Sequence, residues 1–200
     1  MNYDKIVPTC IVKGVEYKIV DFGGSGNCLF LAVAGSLSAM LPTSNHDHKS
    51  LRKGVSRWYI ENGLQHQAYL NAKPVDVIFD NPDLPTPDVF RTWTWQRWGL
   101  HIAKNGVWGG ASEIMPFNMV LPYKYKLNII ESVSGVIYGE EHNERDDNIV
   151  FVYHRGLHYL ALINSNCAFE IPKLKRSIVS MNFLTPQKCT VKGQEYNIVD

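Results

Sequence analysis

The chain lacks a dominant charge. Its 20 Lys and Arg stand against 19 Asp and Glu, a formal net charge of +1. No strong field points towards nucleic acid or an anionic membrane. Long apolar runs are also missing. None approaches the ~18 residues that a spanning helix requires, so no membrane segment is expected. Met1-Asn2-Tyr3-Asp4-Lys5 carries no apolar signal core. Cysteine is scarce, and Cys10, Cys28, Cys167 and Cys189 form no Cys-x-x-Cys and no Cys/His grouping at zinc spacing. A chain of 200 residues buries a core without disulfide staples. Reduced thiols and a cytoplasmic setting are therefore expected.

What the chain does have is glycine in the right place. Gly23-Gly24-Ser25-Gly26-Asn27-Cys28 leads straight into Leu29-Phe30-Leu31-Ala32-Val33-Ala34. Glycine permits a tight turn, and Leu29 to Leu41 reads as a helix rich in Ala and Leu. Cys28 then stands at a loop-to-helix junction, where unpaired N–H groups and the helix dipole favour a thiolate. A lone cysteine is more often simply a buried apolar residue. Its partners must decide.

In chain order, residues 9–21 read as a hairpin turning at Lys13-Gly14. A second helix is expected from about Asp47 to Glu61, with Leu51, Val55, Trp58 and Tyr59 on one face and Asn62-Gly63 as its stop. Residues 64–72 read as a separate helical piece. Pro74 to Pro87 reads as a loop, and Thr86-Pro87 as the start of a helix running to about Ala103. Phe90, Trp93, Trp95, Trp98 and His101 are core by default, or a partner surface. Gly109-Gly110 should turn into a short helix with Glu113 in its first turn and Pro116 near its start. Strands are expected at Tyr125 to Ser132, Ile149 to His154 and His158 to Asn164, with Arg155-Gly156 between the last two. Helices before strands indicate an α+β fold.

The two ends resemble each other. Cys10, Val12, Lys13, Gly14, Glu16, Tyr17, Ile19, Val20 and Asp21 recur as Cys189, Val191, Lys192, Gly193, Glu195, Tyr196, Ile198, Val199 and Asp200. The expected organisation is a domain over 1–165, a linker over 166–187 and the start of a second tandem copy at 188–200. The alternative is that both ends pair as hairpins of one fold.

A cysteine hydrolase needs a thiolate, an imidazole to move the proton and N–H groups for the oxyanion. His158 follows a glycine turn and opens an apolar strand, a good position from which to face a cleft. His154 is its rival, with a strand-end setting that better suits solvent or a core hydrogen bond. His66, His101 and His142 have no companions.

Gly26-Asn27-Cys28-Leu29-Phe30, then Trp108-Gly109-Gly110 with Glu113-Ile114, then Gly156-Leu157-His158-Tyr159 resemble, in this order, the ovarian tumour (OTU) family of cysteine proteases. The resemblance covers about residues 15–164. It implies a papain-type α+β fold with a mixed sheet flanked by helices, and no metal or cofactor. It implies a deubiquitinase that hydrolyses the isopeptide bond after the C-terminal Gly-Gly of ubiquitin or a ubiquitin-like modifier. Ubiquitin or polyubiquitin is the implied partner of a monomeric domain within a longer tandem protein. Carried over by position, Cys28 is the nucleophile, His158 the base, and Ser25, Gly26 and Asn27 belong to the oxyanion loop. Two positions depart from the family pattern. Ser25 stands where an Asp is usual, and Leu160 stands where an Asp or Asn orients the imidazole. Either a Cys–His dyad operates or another acid serves, with Asp21 the nearest candidate; Asn164 lies too far along the strand. Two other readings stay open: a catalytically weak ubiquitin-binding module, and a papain-like protease that processes its own polyprotein. Tandem units in a large protein point by analogy to a pathogen effector in host cytosol.

Overall fold

The computed structural model describes residues 8–43, 46–74, 90–145 and 147–167, with the strand residues 188–191 and 194–197. Strands β1 (Thr9–Val12) and β2 (Val15–Val20) form the expected hairpin. Lys13 and Gly14 both take positive φ, 50° and 81°, as a two-residue hairpin turn of the primed kind demands. Helix α1 (Cys28–Met40) follows, then α2 (His48–Leu70), α3 (Trp95–Ile102), a 3-10 turn (Ala111–Glu113) and α4 (Ile114–Val120). The chain then returns through β3 (Tyr125–Glu131), β4 (Ile137–Tyr138), β5 (Asn148–Arg155) and β6 (His158–Asn164).

Six strands pair in the order β1-β2-β6-β5-β3-β4. Only β3 and β5 run parallel, so the sheet is mixed. Alternation along β6 splits the core: Tyr159, Ala161 and Ile163 join the large cluster with α1, and Leu162 joins a smaller one with Cys10, Val12, Ile19 and Phe151. Helix α1 is apolar on nearly every side, with Leu29, Phe30, Val33 and Leu37 all at 1% exposure or less. It is therefore a central helix, and each such side chain contributes about 1.5–3 kcal/mol of burial. Its first residue, Cys28, is held as firmly as the core itself.

Three sequence expectations are corrected. Asn62-Gly63 does not end α2, which runs unbroken to Leu70 and absorbs the helical piece expected at 64–72. Gly63 is needed for space: a Cβ there would lie 2.9 Å from the Gln96 backbone nitrogen and 3.0 Å from the Trp95 Cβ. The third helix begins at Trp95, because the Thr94 hydroxyl accepts from the Arg97 N–H as N-cap. Its expected start at Thr86-Pro87 and the expected loop beyond Pro74 lie outside the described residues, as does the basic run at Lys173, Lys175 and Arg176. Strand β4 was not expected; two residues are too few to show an alternation. The aromatic segment resolves as core, with Trp93, Trp95 and Trp98 buried.

The C-terminal hairpin, β7 (Lys188–Val191) with β8 (Gln194–Asn197), is a two-stranded sheet of its own. Cys189 faces Tyr196 and Val191 faces Gln194, the register in which Cys10 faces Tyr17 and Val12 faces Val15.

Candidate active site

Cys28 is the first residue of α1 and is 5% exposed. The N–H groups of a helix's first turn have no acceptor within the helix, so they point out of its end beside the thiol. The loop before it is a chain of left-handed residues: Gly23 at φ 106°, Ser25 at 58° and Gly26 at 80°. Gly26 allows no side chain, since a Cβ there would sit 1.8 Å from the Gly106 carbonyl oxygen. Ser25 pays for its αL conformation as a non-glycine residue.

His158 opens β6, and Asp21 follows the last residue of β2, its neighbour in the sheet. Antiparallel pairing of these strands, with Val20 opposite Ala161, brings their ends together. The His158 Nε2 lies 2.9 Å from Asp21 Oδ1, across 137 residues of sequence. The same oxygen accepts from the Gly23 N–H at 2.8 Å, tying the acid to the glycine loop. The adjoining Cε1–Nδ1 edge of the ring lies beside that loop: a Cβ on Gly24 would lie 3.4 Å from His158 Cε1 and 3.7 Å from Nδ1. A neutral imidazole that donates its Nε2–H to a carboxylate leaves Nδ1 as an acceptor. Such a ring can take a proton on the side of the loop that carries Cys28.

The other sequence candidates are elsewhere. Leu160 is partly buried against the smaller cluster. Asn164 stands at the far end of β6, opposite Tyr17, where its Oδ1 accepts from the Asn166 N–H. The His154 ring stacks on Tyr159 at 4.4 Å, and desolvation lowers its pKa. His66 is buried among Trp58, Tyr59 and Trp95. His142 pairs with Glu141 on the surface. Asn27 N–H donates to the Gly24 carbonyl, so it is committed within the loop.

Two buried charges flank the loop: Arg52, which the sequence did not single out, and Glu113, singled out there only as a motif and first-turn residue. Arg52, on α2, is 3% exposed and lies beneath the loop. Its guanidinium donates to the Gly26 carbonyl at 3.0 Å, to Asn27 Oδ1 at 2.9 Å and to the Ile102 carbonyl at 2.6 Å. Burial pulls its pKa down, and the charges of Glu113 and Cys28 oppose that. A signal existed: Arg52 precedes Val55 and Tyr59 by three and seven residues, so it lies on the apolar stripe. Glu113 is fully buried. Its Oε1 accepts from Trp98 Nε1 at 3.0 Å and Ser112 Oγ at 3.0 Å, and its Oε2 from the Gly110 N–H. Desolvation raises its pKa, against those donors. The Trp-Gly-Gly-x-x-Glu segment is thus a packed corner, and Trp108 at its start is 54% exposed beside it.

Among the described residues, no group of His, Cys, Asp and Glu is arranged to hold a metal ion. No described helix is long and apolar enough to cross a membrane.

No sequence-family model and no curated protein matches the chain. Solved structures do. An ovarian tumour (OTU) domain in complex with ubiquitin superposes with a TM-score of 0.51 at 20% identity, covering 80% of this chain and 78% of that one. An OTU deubiquitinase from Wolbachia pipientis wMel, bound to ubiquitin, gives 0.48 at 19% identity over 75% of this chain and 97% of that one. The viral OTU domain protease of Dera Ghazi Khan virus gives 0.47 at 19% identity over 82% and 97%. The first of these shows that the chain has the fold of OTU domains, as the three ordered motifs led one to expect.

Proposed function

We propose that this OTU-fold chain is a thiol isopeptidase that cleaves after the C-terminal Gly-Gly of ubiquitin or a ubiquitin-like modifier. One observation carries the reading: Asp21 holds His158 at 2.9 Å, with the ring's other edge against the loop that presents Cys28. That contact supplies the acceptor that Leu160 cannot be. Cys28 gives its proton to His158 Nδ1, and the thiolate attacks the glycine carbonyl carbon. The oxyanion so formed is met by the Cys28 N–H at the mouth of α1. Collapse expels the lysine amine, which takes the proton back from the imidazolium. A water deprotonated by the same nitrogen then hydrolyses the thioester and frees the thiol. Asp21 accepts the Nε2–H and keeps the ring in its tautomer. In this reading residues 1–165 are the catalytic unit, 166–187 a linker and 188–200 the opening of a repeat of that unit.

A ubiquitin probe with a C-terminal electrophile should label Cys28, and Cys28→Ala should abolish labelling. Asp21→Asn should keep labelling detectable and slow chain cleavage by roughly 10²- to 10⁴-fold. A wild-type protein inert to the probe and to every chain type would overturn the reading. One feature favours a second reading. Ser25 stands in the αL position where the family has an acid. A module that binds ubiquitin without turning it over would show affinity for ubiquitin and no cleavage.

A further inference from the structure

The loop before Cys28 has a geometry that its own sequence does not secure. Gly26 is left-handed, and Asn27 caps α1 without a side-chain bond to the helix. The Asn27 side chain points the other way, and its Oδ1 accepts from Arg52 Nη2 at 2.9 Å and from the Gly106 N–H at 3.1 Å. The peptide between Gly26 and Asn27 is gripped on both edges. Its carbonyl accepts from Arg52, and its N–H donates to the Gly24 carbonyl at 3.3 Å. A peptide held on both edges cannot flip, and the next N–H along the chain is that of Cys28. Arg52 is itself fixed from three sides. It rests over the Phe30 ring at 4.0 Å, bonds the Ile102 carbonyl at the end of α3 and lies on α2. A planar fork with several donors is the side chain suited to collecting three acceptors at once.

We infer that Arg52 is a positioning residue: through Asn27 and the Gly26 carbonyl it sets the peptide orientation that aims the Cys28 N–H at the oxyanion. It touches no reacting atom. Through the loop, its contribution is felt when a carbonyl becomes an oxyanion, and not when the ionised thiol merely reacts. The inference rests on the isopeptidase reading.

The test separates these two kinds of reaction in the intact chain. Alkylation of Cys28 by iodoacetamide passes through no oxyanion; hydrolysis of a ubiquitin C-terminal amide does. Arg52→Met, close in length and apolar, should lower kcat by about 10²-fold, the loss expected when an oxyanion donor is misplaced, with KM within about twofold. The alkylation rate of Cys28, taken at the plateau of its pH profile where the thiol is fully ionised and the lost cation no longer matters, should stay within about twofold of wild type. Arg52→Lys, which reaches one acceptor in place of three, should recover part of kcat. Should Arg52→Met fail to fold, Asn27→Ala keeps the buried cation and removes the acceptor it shares with Gly106. That variant should show the same split between kcat and alkylation. Alkylation and kcat falling together in a folded variant, or kcat unchanged in either, would overturn the inference. A wild type that is alkylated at Cys28 yet inert to ubiquitin substrates refutes the isopeptidase reading instead.

Discussion

His66 is 3% exposed, neither ring nitrogen has a hydrogen-bond partner among the described residues, and its pKa is lowered by desolvation from 6.5 to about 4. The folded chain refuses a proton that the unfolded chain accepts. Stability should therefore fall as pH drops from about 6.5 towards 4, by up to ~1.4 kcal/mol per pH unit within that window. His66→Phe should flatten the acid limb of the melting temperature and change little at pH 8; thermal melts at pH 5 and pH 8 in both proteins check this. An unchanged acid limb would assign the loss to other groups. At this same scale the candidate site was half legible. Cys28 and His158 were visible because each follows a glycine turn, and Asp21 because Leu160 forced a search for another acid. Arg52 was overlooked because a lone cation in a helix reads as solvated. Only its place on the apolar stripe argued otherwise, and what it bonds belongs to two other segments.

Among the elements, α2 shows where local signals mislead. Asn62-Gly63 is the dipeptide that commonly closes a helix, yet both lie inside this one. The Asn62 side chain donates back to the Trp58 carbonyl, and Gly63 is pressed against Trp95 and Gln96 of α3. Glycine here lowers helix propensity by about 1 kcal/mol relative to alanine and lets the two helices touch. Gly63→Ala should therefore destabilise the protein by about 1–3 kcal/mol despite the better propensity. Chemical denaturation checks it, and a stabilised variant would refute the packing account. Strands β5 and β6 were legible because alternation and the Arg155-Gly156 turn agree. The start of α3 was not, since Thr86-Pro87 offers both a cap and an N1 proline on paper and Thr94 offers only the cap. Packing of Trp95 under Tyr59, their rings 5.3 Å apart and nearly parallel, gives the first turn its place.

For the whole molecule, the α+β class followed from the order of segments, and the site from the sheet that this order builds. Asp21 and His158 meet because β2 and β6 are neighbours, a pairing no local pattern announces. The hairpin that supplies Asp21 is also the one the chain carries twice. The positions buried in the first copy, Cys10, Val12, Ile19 and Val20, are repeated unchanged in the second. Of the positions that differ, Ile11 (Thr190) and Val15 (Gln194) are exposed in the first copy and Lys18 (Asn197) is half-buried. A refolding chain thus carries two hairpin sequences alike at the positions that the first buries beside β6, and transient seating of the second is the expected consequence. Stopped-flow refolding followed by tryptophan fluorescence should show a slow phase of retrieval that vanishes when the chain is cut after Gln187. Identical phases in the two proteins would mean that β6 tells the hairpins apart from the outset. Sequence repetition then becomes a traffic problem on the way to the native structure.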